Sequence, residues 1–70
     1  MIDYNEMGTR IRKSREQSGY TRLKVCENVH ISEKHLYEIE RGKQCGSIAV
    51  ISDICEFLKI SLDYVAYGKC

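Results

Sequence analysis

The stretch from Ser32 to Gly42 predicts one short helix, because both of its ends are marked in the sequence. Ser32 is a favourable N-cap, since its hydroxyl can accept a hydrogen bond from a free amide of the first turn. Gly42 is a favourable end, since glycine enters the left-handed conformation without steric cost. Between them only Leu36 and Ile39 are aliphatic. The helix therefore has a narrow face for a core and a wide polar face for a partner.

Two more helices are predicted before this stretch. The first spans about Asp3 to Ser18, with Asp3 as its N-cap and Gly19 at its end. The second begins after the N-cap Thr21 and ends near His30. Apolar residues at helical spacing direct both helices towards a core. These residues are Tyr4, Met7, Ile11, Val25 and Val29.

The second helix and the Ser32–Gly42 helix are separated by about three residues, one of which is the apolar Ile31. Two short helices joined in this way form a helix-turn-helix. The small side chain of Cys26 suits a close crossing of the two helices.

Two helices are predicted after Gly42. Ser47 is the N-cap of a strongly amphipathic helix that extends to about Leu58, and Ser61 is the N-cap of a short helix that ends at Gly68. The fold prediction is an all-α, compact bundle of five short helices. It forms a single domain over residues 3–67, with residues 1–2 and 68–70 as short tails, because 70 residues leave no room for two cores.

The four cysteines are Cys26, Cys45, Cys55 and Cys70. The N-terminus does not resemble a signal peptide and no apolar run approaches the ~18 residues of a membrane span, so we predict a cytoplasmic protein without membrane contact. A reducing compartment argues against disulfides. The spacing of Cys26 and His30 is weak as a zinc signal, and Cys26 and Cys55 are better interpreted as core residues. No metal site and no cofactor are predicted.

Three stretches carry a resemblance to a known family. They are Gly8-x-x-Ile11-Arg12-x-x-Arg15, Ile31-Ser32-x-x-x-Leu36-x-x-Ile39-Glu40-Arg41-Gly42-Lys43 and Leu58-Lys59-Ile60-Ser61-Leu62-Asp63-Tyr64. Over about residues 7–65 the chain resembles the Cro/repressor type of helix-turn-helix, the XRE family. The resemblance implies a lambda-repressor-like fold in which helices 2 and 3 form the helix-turn-helix. It also implies that Arg15 and Glu40 form a structural ion pair between the first and third helices.

The resemblance implies a binding site for double-stranded DNA centred on helix 33–41, which lies in the major groove. The implied base contacts are Glu33, Lys34, His35, Tyr37 and Glu38. The implied phosphate contacts are Thr21, Arg22, Lys43 and Gln44. The predicted function is a sequence-specific transcriptional regulator that reads a palindromic operator. A homodimer is predicted through the C-terminal region, and the residues proposed for it are Leu62, Tyr64, Val65 and Tyr67.

Two other functions are weighed against DNA binding. A net charge of only +1 and the acidic residues Glu33 and Glu38 favour a protein-interaction module on the same fold. An enzyme, for instance a thiol catalyst, requires a cysteine beside a base in a cleft. The sequence shows no such constellation, so we predict that the protein is not an enzyme.

Overall fold

A computed structural model describes residues 3–43 and 47–68 of the chain. Within these ranges the chain forms five helices and no strand. The helices are α1 (Tyr4–Gln17), α2 (Arg22–Val29), α3 (Glu33–Glu40), α4 (Ile48–Leu58) and α5 (Leu62–Tyr67). The predicted all-α fold of five short helices is confirmed. None of the helices in the described part is long and apolar enough to cross a membrane.

Each of these helices begins at a side chain that accepts hydrogen bonds from amides of its first turn. Asp3 Oδ1 accepts from the amides of Asn5 and Glu6, at 2.9 and 3.2 Å. Ser32 Oγ accepts from the amide of His35 at 3.0 Å. The remaining predicted caps, Thr21, Ser47 and Ser61, accept from the amides of Lys24, Val50 and Tyr64. The predicted N-caps are therefore confirmed.

Two kinds of residue adopt the left-handed conformation at the helix ends, namely glycines and residues that carry a side chain. Gly19 and Gly42 follow α1 and α3 with φ of 79° and 77°. The end of α3 is a Schellman motif, because the amides of Gly42 and Lys43 donate to the carbonyls of Ile39 and Glu38. By contrast, α2 and α4 end at His30 and Lys59, which are left-handed although they carry side chains.

The core lies where α1 crosses α3 and α5 and where α2 packs on α3 and α4. Its fully buried large side chains are Ile11, Val25, Leu36, Ile39, Ile54 and Val65. Cys26 and Cys55 are also buried, which confirms their interpretation as core residues. The predictions made for Gln44, Cys45 and Cys70 concern residues outside the described ranges.

The burial of Val65 corrects one part of the predicted dimer surface. Val65 is fully excluded from solvent by the chain's own core, so it is not available to a second copy in this fold. Tyr64 packs partly against the same core, whereas Leu62 and Tyr67 are exposed. The prediction grouped neighbours in sequence, but Tyr67, two positions after Val65, lies on the opposite side of α5 and is exposed while Val65 faces the core.

Candidate nucleic-acid interface

The turn between α2 and α3 is held at both of its ends. His30 closes α2 in the left-handed conformation, with its amide donating to the carbonyl of Cys26. Ile31 then packs against the core, and Ser32 opens α3. A partly buried side chain inside a three-residue turn fixes the direction in which α3 leaves α2.

Glycine at position 8 lets α3 lie directly on α1. A Cβ on Gly8 would meet the carbonyl oxygen of Ile39 and would lie 2.6 Å from that of Glu40. Gly42, just past α3, is equally close to α1, since a Cβ there would lie 2.8 Å from Asn5 Cα. The backbone of α3 is thus supported along its C-terminal half by α1.

A buried cluster of charges joins α1, α2 and α3. Arg15 Nε donates to Glu40 Oε2 at 2.7 Å, and Arg15 Nη2 donates to Glu40 Oε1 at 3.2 Å. Arg15 Nη1 also donates to the carbonyl of Tyr20 at 2.9 Å. Arg15 and Glu40 are 7% and 5% exposed, so each is the main compensating charge of the other. The exposed Glu16 carboxylate lies further away, 4.0 Å from Arg15 Nη2. This bidentate pair is the one that the family resemblance implies.

Arg22 is a second partner of Glu40 that sequence reasoning missed. Its Nη1 donates to Glu40 Oε1 at 3.3 Å, while its side chain stays partly exposed. The sequence predicts Arg22 as a phosphate contact, and its exposed part leaves it able to meet an external anion. The pairing joins residues 18 positions apart on different helices, and no local pattern in the sequence indicates it.

The outward face of α3 carries long polar side chains. Lys34, Glu38 and Arg41 follow one another at i, i+4 and i+7 and so share one side of the helix, away from Leu36 and Ile39. Of the other predicted base contacts, Glu33 and Tyr37 are exposed and His35 is half-buried. Thr21 and Lys43 are exposed at the N-terminus of α2 and after α3.

The ring of Tyr37, on α3, lies next to two arginines. The Cζ atom of Arg22 is 5.2 Å from the centre of its ring, and that of Arg41 is 5.5 Å away. Both distances allow a cation–π interaction. The ring forms part of a cleft whose other lining residues are Arg12, Glu16, Arg22, Glu40 and Arg41. Arg41 was not among the predicted contacts, although its i+4 spacing from Tyr37 is a signal that could have indicated it.

The two described cysteines, Cys26 and Cys55, are poor nucleophiles near neutral pH. Burial raises the pKa of the Cys55 thiol. Burial also raises the pKa of Cys26, and the charges of Glu33 and Glu40 add to that effect. Both thiols are therefore protonated near neutral pH, whereas a cysteine nucleophile is a thiolate. Among residues 3–43 and 47–68, no group of three His, Cys, Asp or Glu side chains is arranged to hold a metal ion.

A family model described as helix-turn-helix matches residues 11–65. This protein belongs to the helix-turn-helix family, of the Cro/repressor (XRE) type. An uncharacterised HTH-type transcriptional regulator, YazB of Bacillus subtilis (strain 168), is 42% identical over 59 residues. The aligned region covers 84% of this chain and 86% of YazB.

Solved structures of regulators share the fold of this helix-turn-helix protein. SinR of Bacillus subtilis, the master regulator for biofilm formation, superimposes in its DNA complex with a TM-score of 0.77 and 27% identity, over 84% of this chain and 95% of that one. The restriction-modification controller protein C.AhdI of Aeromonas hydrophila gives a TM-score of 0.84 at 21% identity, over 90% and 96% of the two chains. At that identity the second likeness concerns the fold alone. Together, the family, the relative and the neighbours support a DNA-binding transcriptional regulator.

Proposed function

We propose that this helix-turn-helix protein regulates transcription by placing α3 in the major groove of a palindromic DNA site. The observation that carries the proposal is the division of α3 into two sides. Its buried side, Leu36, Ile39 and Glu40, is fixed on α1 and α2, and its outward side is long and polar. A helix of this width fits the major groove of B-DNA.

Four side chains of α3 are proposed to contact bases. Lys34 is suited to donate to guanine O6 and N7, and Glu33 or Glu38 to accept from the amino group of cytosine. His35 is suited to contact a base by packing on a thymine methyl group, or alternatively to donate to a phosphate. The proposed phosphate contacts flank these positions. They are Thr21, Arg22, Lys43 and Gln44.

We propose a homodimer, since two copies of α3 about 34 Å apart would read the two halves of a palindrome. The exposed apolar surface of α5 supports a contact there, because Leu62 is 37% exposed and Tyr67 is 57% exposed. Tyr64 would join at the edge of this surface. The two buried free thiols, Cys26 and Cys55, fit a reducing compartment such as the cytoplasm, and no enzymatic role is proposed.

Selection of bound sequences from a random duplex pool tests this function and reports the site. The affinity for the selected duplex should fall steeply with salt, in proportion to the number of phosphates contacted. Lys34→Ala should weaken the binding free energy for the selected duplex by about 1–3 kcal/mol and should relax the base preference at one base-pair position. Lys59→Ala is the matched control, since it removes the same charge at the end of α4. A protein that binds no duplex even at low salt would overturn the proposal.

A second candidate is a protein-interaction module that uses the same face of α3. Glu33 is exposed on that face and Glu38 is half-exposed, and carboxylates near phosphates weaken binding unless each meets a cytosine or a basic neighbour. The same selection separates the two functions. A protein-interaction module would enrich no duplex and would show no salt-dependent binding.

A further inference from the structure

We propose that Tyr37 is a positioning residue that holds Arg22 and Arg41 as a pair of phosphate-binding groups beside α3. This inference rests on the proposed function and changes the role of Tyr37, which the sequence predicts as a base contact. Arg22 and Arg41 together form what we call the arginine pair.

The arginine pair comes from two different places in the fold. Arg22 is the first residue of α2, and Arg41 is the C-cap of α3, four residues after Tyr37. Both guanidinium groups lie within 5.5 Å of the centre of the Tyr37 ring. A cation near the face of an aromatic ring is attracted by the ring's negative quadrupole. The Tyr37 ring is therefore a contact that both arginines share.

Glu40 fixes Arg22 further without neutralising the site. Its carboxylate is shared between Arg22 and the buried Arg15, so one negative charge faces two positive charges. Among the residues that line the cleft around Tyr37, three are arginines and two are glutamates. This local excess of positive charge, on a chain of net charge +1, favours an anionic ligand.

A planar guanidinium can bind a phosphate, as it binds a carboxylate, with two parallel hydrogen bonds. The cleft is lined by residues of α1, the start of α2 and the C-terminal end of α3, and neither Lys34 nor Glu38 lines it, so a ligand there would lie at the edge of the base-contacting face. The backbone of a duplex runs along the edges of the groove that a recognition helix occupies. The arginine pair is thus suited to phosphates of the same duplex that α3 would read.

The affinity of the selected duplex and its dependence on salt test this inference with two variants of Tyr37. Tyr37→Phe keeps the ring face and should bind like the unmodified protein, with the same slope of log K against log salt. Tyr37→Leu removes the ring face and should weaken binding roughly fivefold or more, with a slope lower by about 1–2. Its base preference should stay the same. Equal weakening by both variants, or an unchanged slope in Tyr37→Leu, would overturn the inference.

NMR of the free protein separates this inference from the proposed function. The Nε–Hε signals of Arg22 and Arg41 should carry a ring-current shift that Tyr37→Phe retains and Tyr37→Leu loses, while the melting temperature of both variants reports folding. Signals that do not move in Tyr37→Leu would overturn the positioning role whether or not DNA binds. If the signals move in Tyr37→Leu but the protein binds no duplex, the positioning role of Tyr37 stands. The proposed function then fails, and so does the phosphate-binding role of the arginine pair.

Discussion

Arg15 Nε lies 2.7 Å from Glu40 Oε2, and this contact joins α1 to the last residue of α3 where both side chains are almost fully excluded from water. The pair is bidentate, so it fixes an angle as well as a distance. The outward face of α3 therefore depends on a residue in another helix. Breaking such a pair leaves an uncompensated buried charge, which costs more than the pair itself contributes.

Glu40→Ala should lower the free energy of unfolding by about 3 kcal/mol or more, because it leaves the Arg15 and Arg22 guanidiniums without their carboxylate. Thermal melting followed by circular dichroism measures the effect. Glu27→Ala is the matched control, since Glu27 is exposed on α2 and its loss should change stability by no more than about 0.5 kcal/mol. Equal melting temperatures for the two variants would contradict the structural role of the pair.

The helix boundaries could be predicted because their causes are local. Ser32 and Gly42 lie within one turn of the amides and carbonyls that they satisfy, so the sequence near each end was sufficient. The contact between Arg22 and Glu40 has no such signal, since it requires the relative placement of α2 and α3. The assignment of Val65 to the dimer surface was wrong for the same reason. Burial in a short helix is decided by elements distant in sequence.

Gly8→Ala should destabilise the fold by about 1–3 kcal/mol, although alanine is the better helix former. The added methyl group would meet backbone carbonyls of Ile39 and Glu40, which cannot move aside without shifting α3. Urea denaturation measures the change. Gly19→Ala is an informative comparison, because a Cβ there meets nothing within 4 Å and only its left-handed backbone is strained. A Gly8→Ala protein more stable than the unmodified one would rule out this close crossing.

The site was predictable in part. The polar side of α3 could be predicted from Leu36 and Ile39, because buried side chains at i and i+3 leave the opposite side of the helix to solvent. The environment of Tyr37 does not follow from the sequence. Its ring meets Arg41 through a local i+4 spacing, but it meets Arg22 only because the turn brings the start of α2 beside α3.

Lys59→Gly should stabilise the protein by up to about 1 kcal/mol. Lys59 is left-handed, with φ of 59°, and a residue with a Cβ is strained there. Glycine relieves that strain, and its larger entropy in the unfolded chain offsets part of the gain. A rise in melting temperature of a few degrees is expected for a domain of this size. Lys59→Ala, which keeps the Cβ, should show no such rise. Equal melting temperatures for Lys59→Gly and Lys59→Ala would mean that loss of the lysine side chain, and not relief of backbone strain, causes the change in stability.

Alkaline pH should destabilise the fold through its buried thiols. Burial raises the pKa of Cys26 and of Cys55 above the value in the unfolded chain. As pH rises past the unfolded pKa, the unfolded chain loses these protons first and therefore binds fewer protons than the folded chain. Stability falls with pH in that range by at most about 1.4 kcal/mol per pH unit for each thiol, and the thiols have no such effect at neutral pH.

Urea denaturation of a Cys45→Ser/Cys70→Ser protein between about pH 8 and 10 measures this dependence, since only Cys26 and Cys55 then remain. Adding Cys55→Ala removes one of the two buried thiols, so the decline in stability should become less steep even though the cavity lowers stability at every pH. The difference between the two proteins cancels the titration of lysines and tyrosines that they share. Parallel pH profiles for the two proteins would show that the Cys55 thiol titrates alike in the folded and unfolded chains.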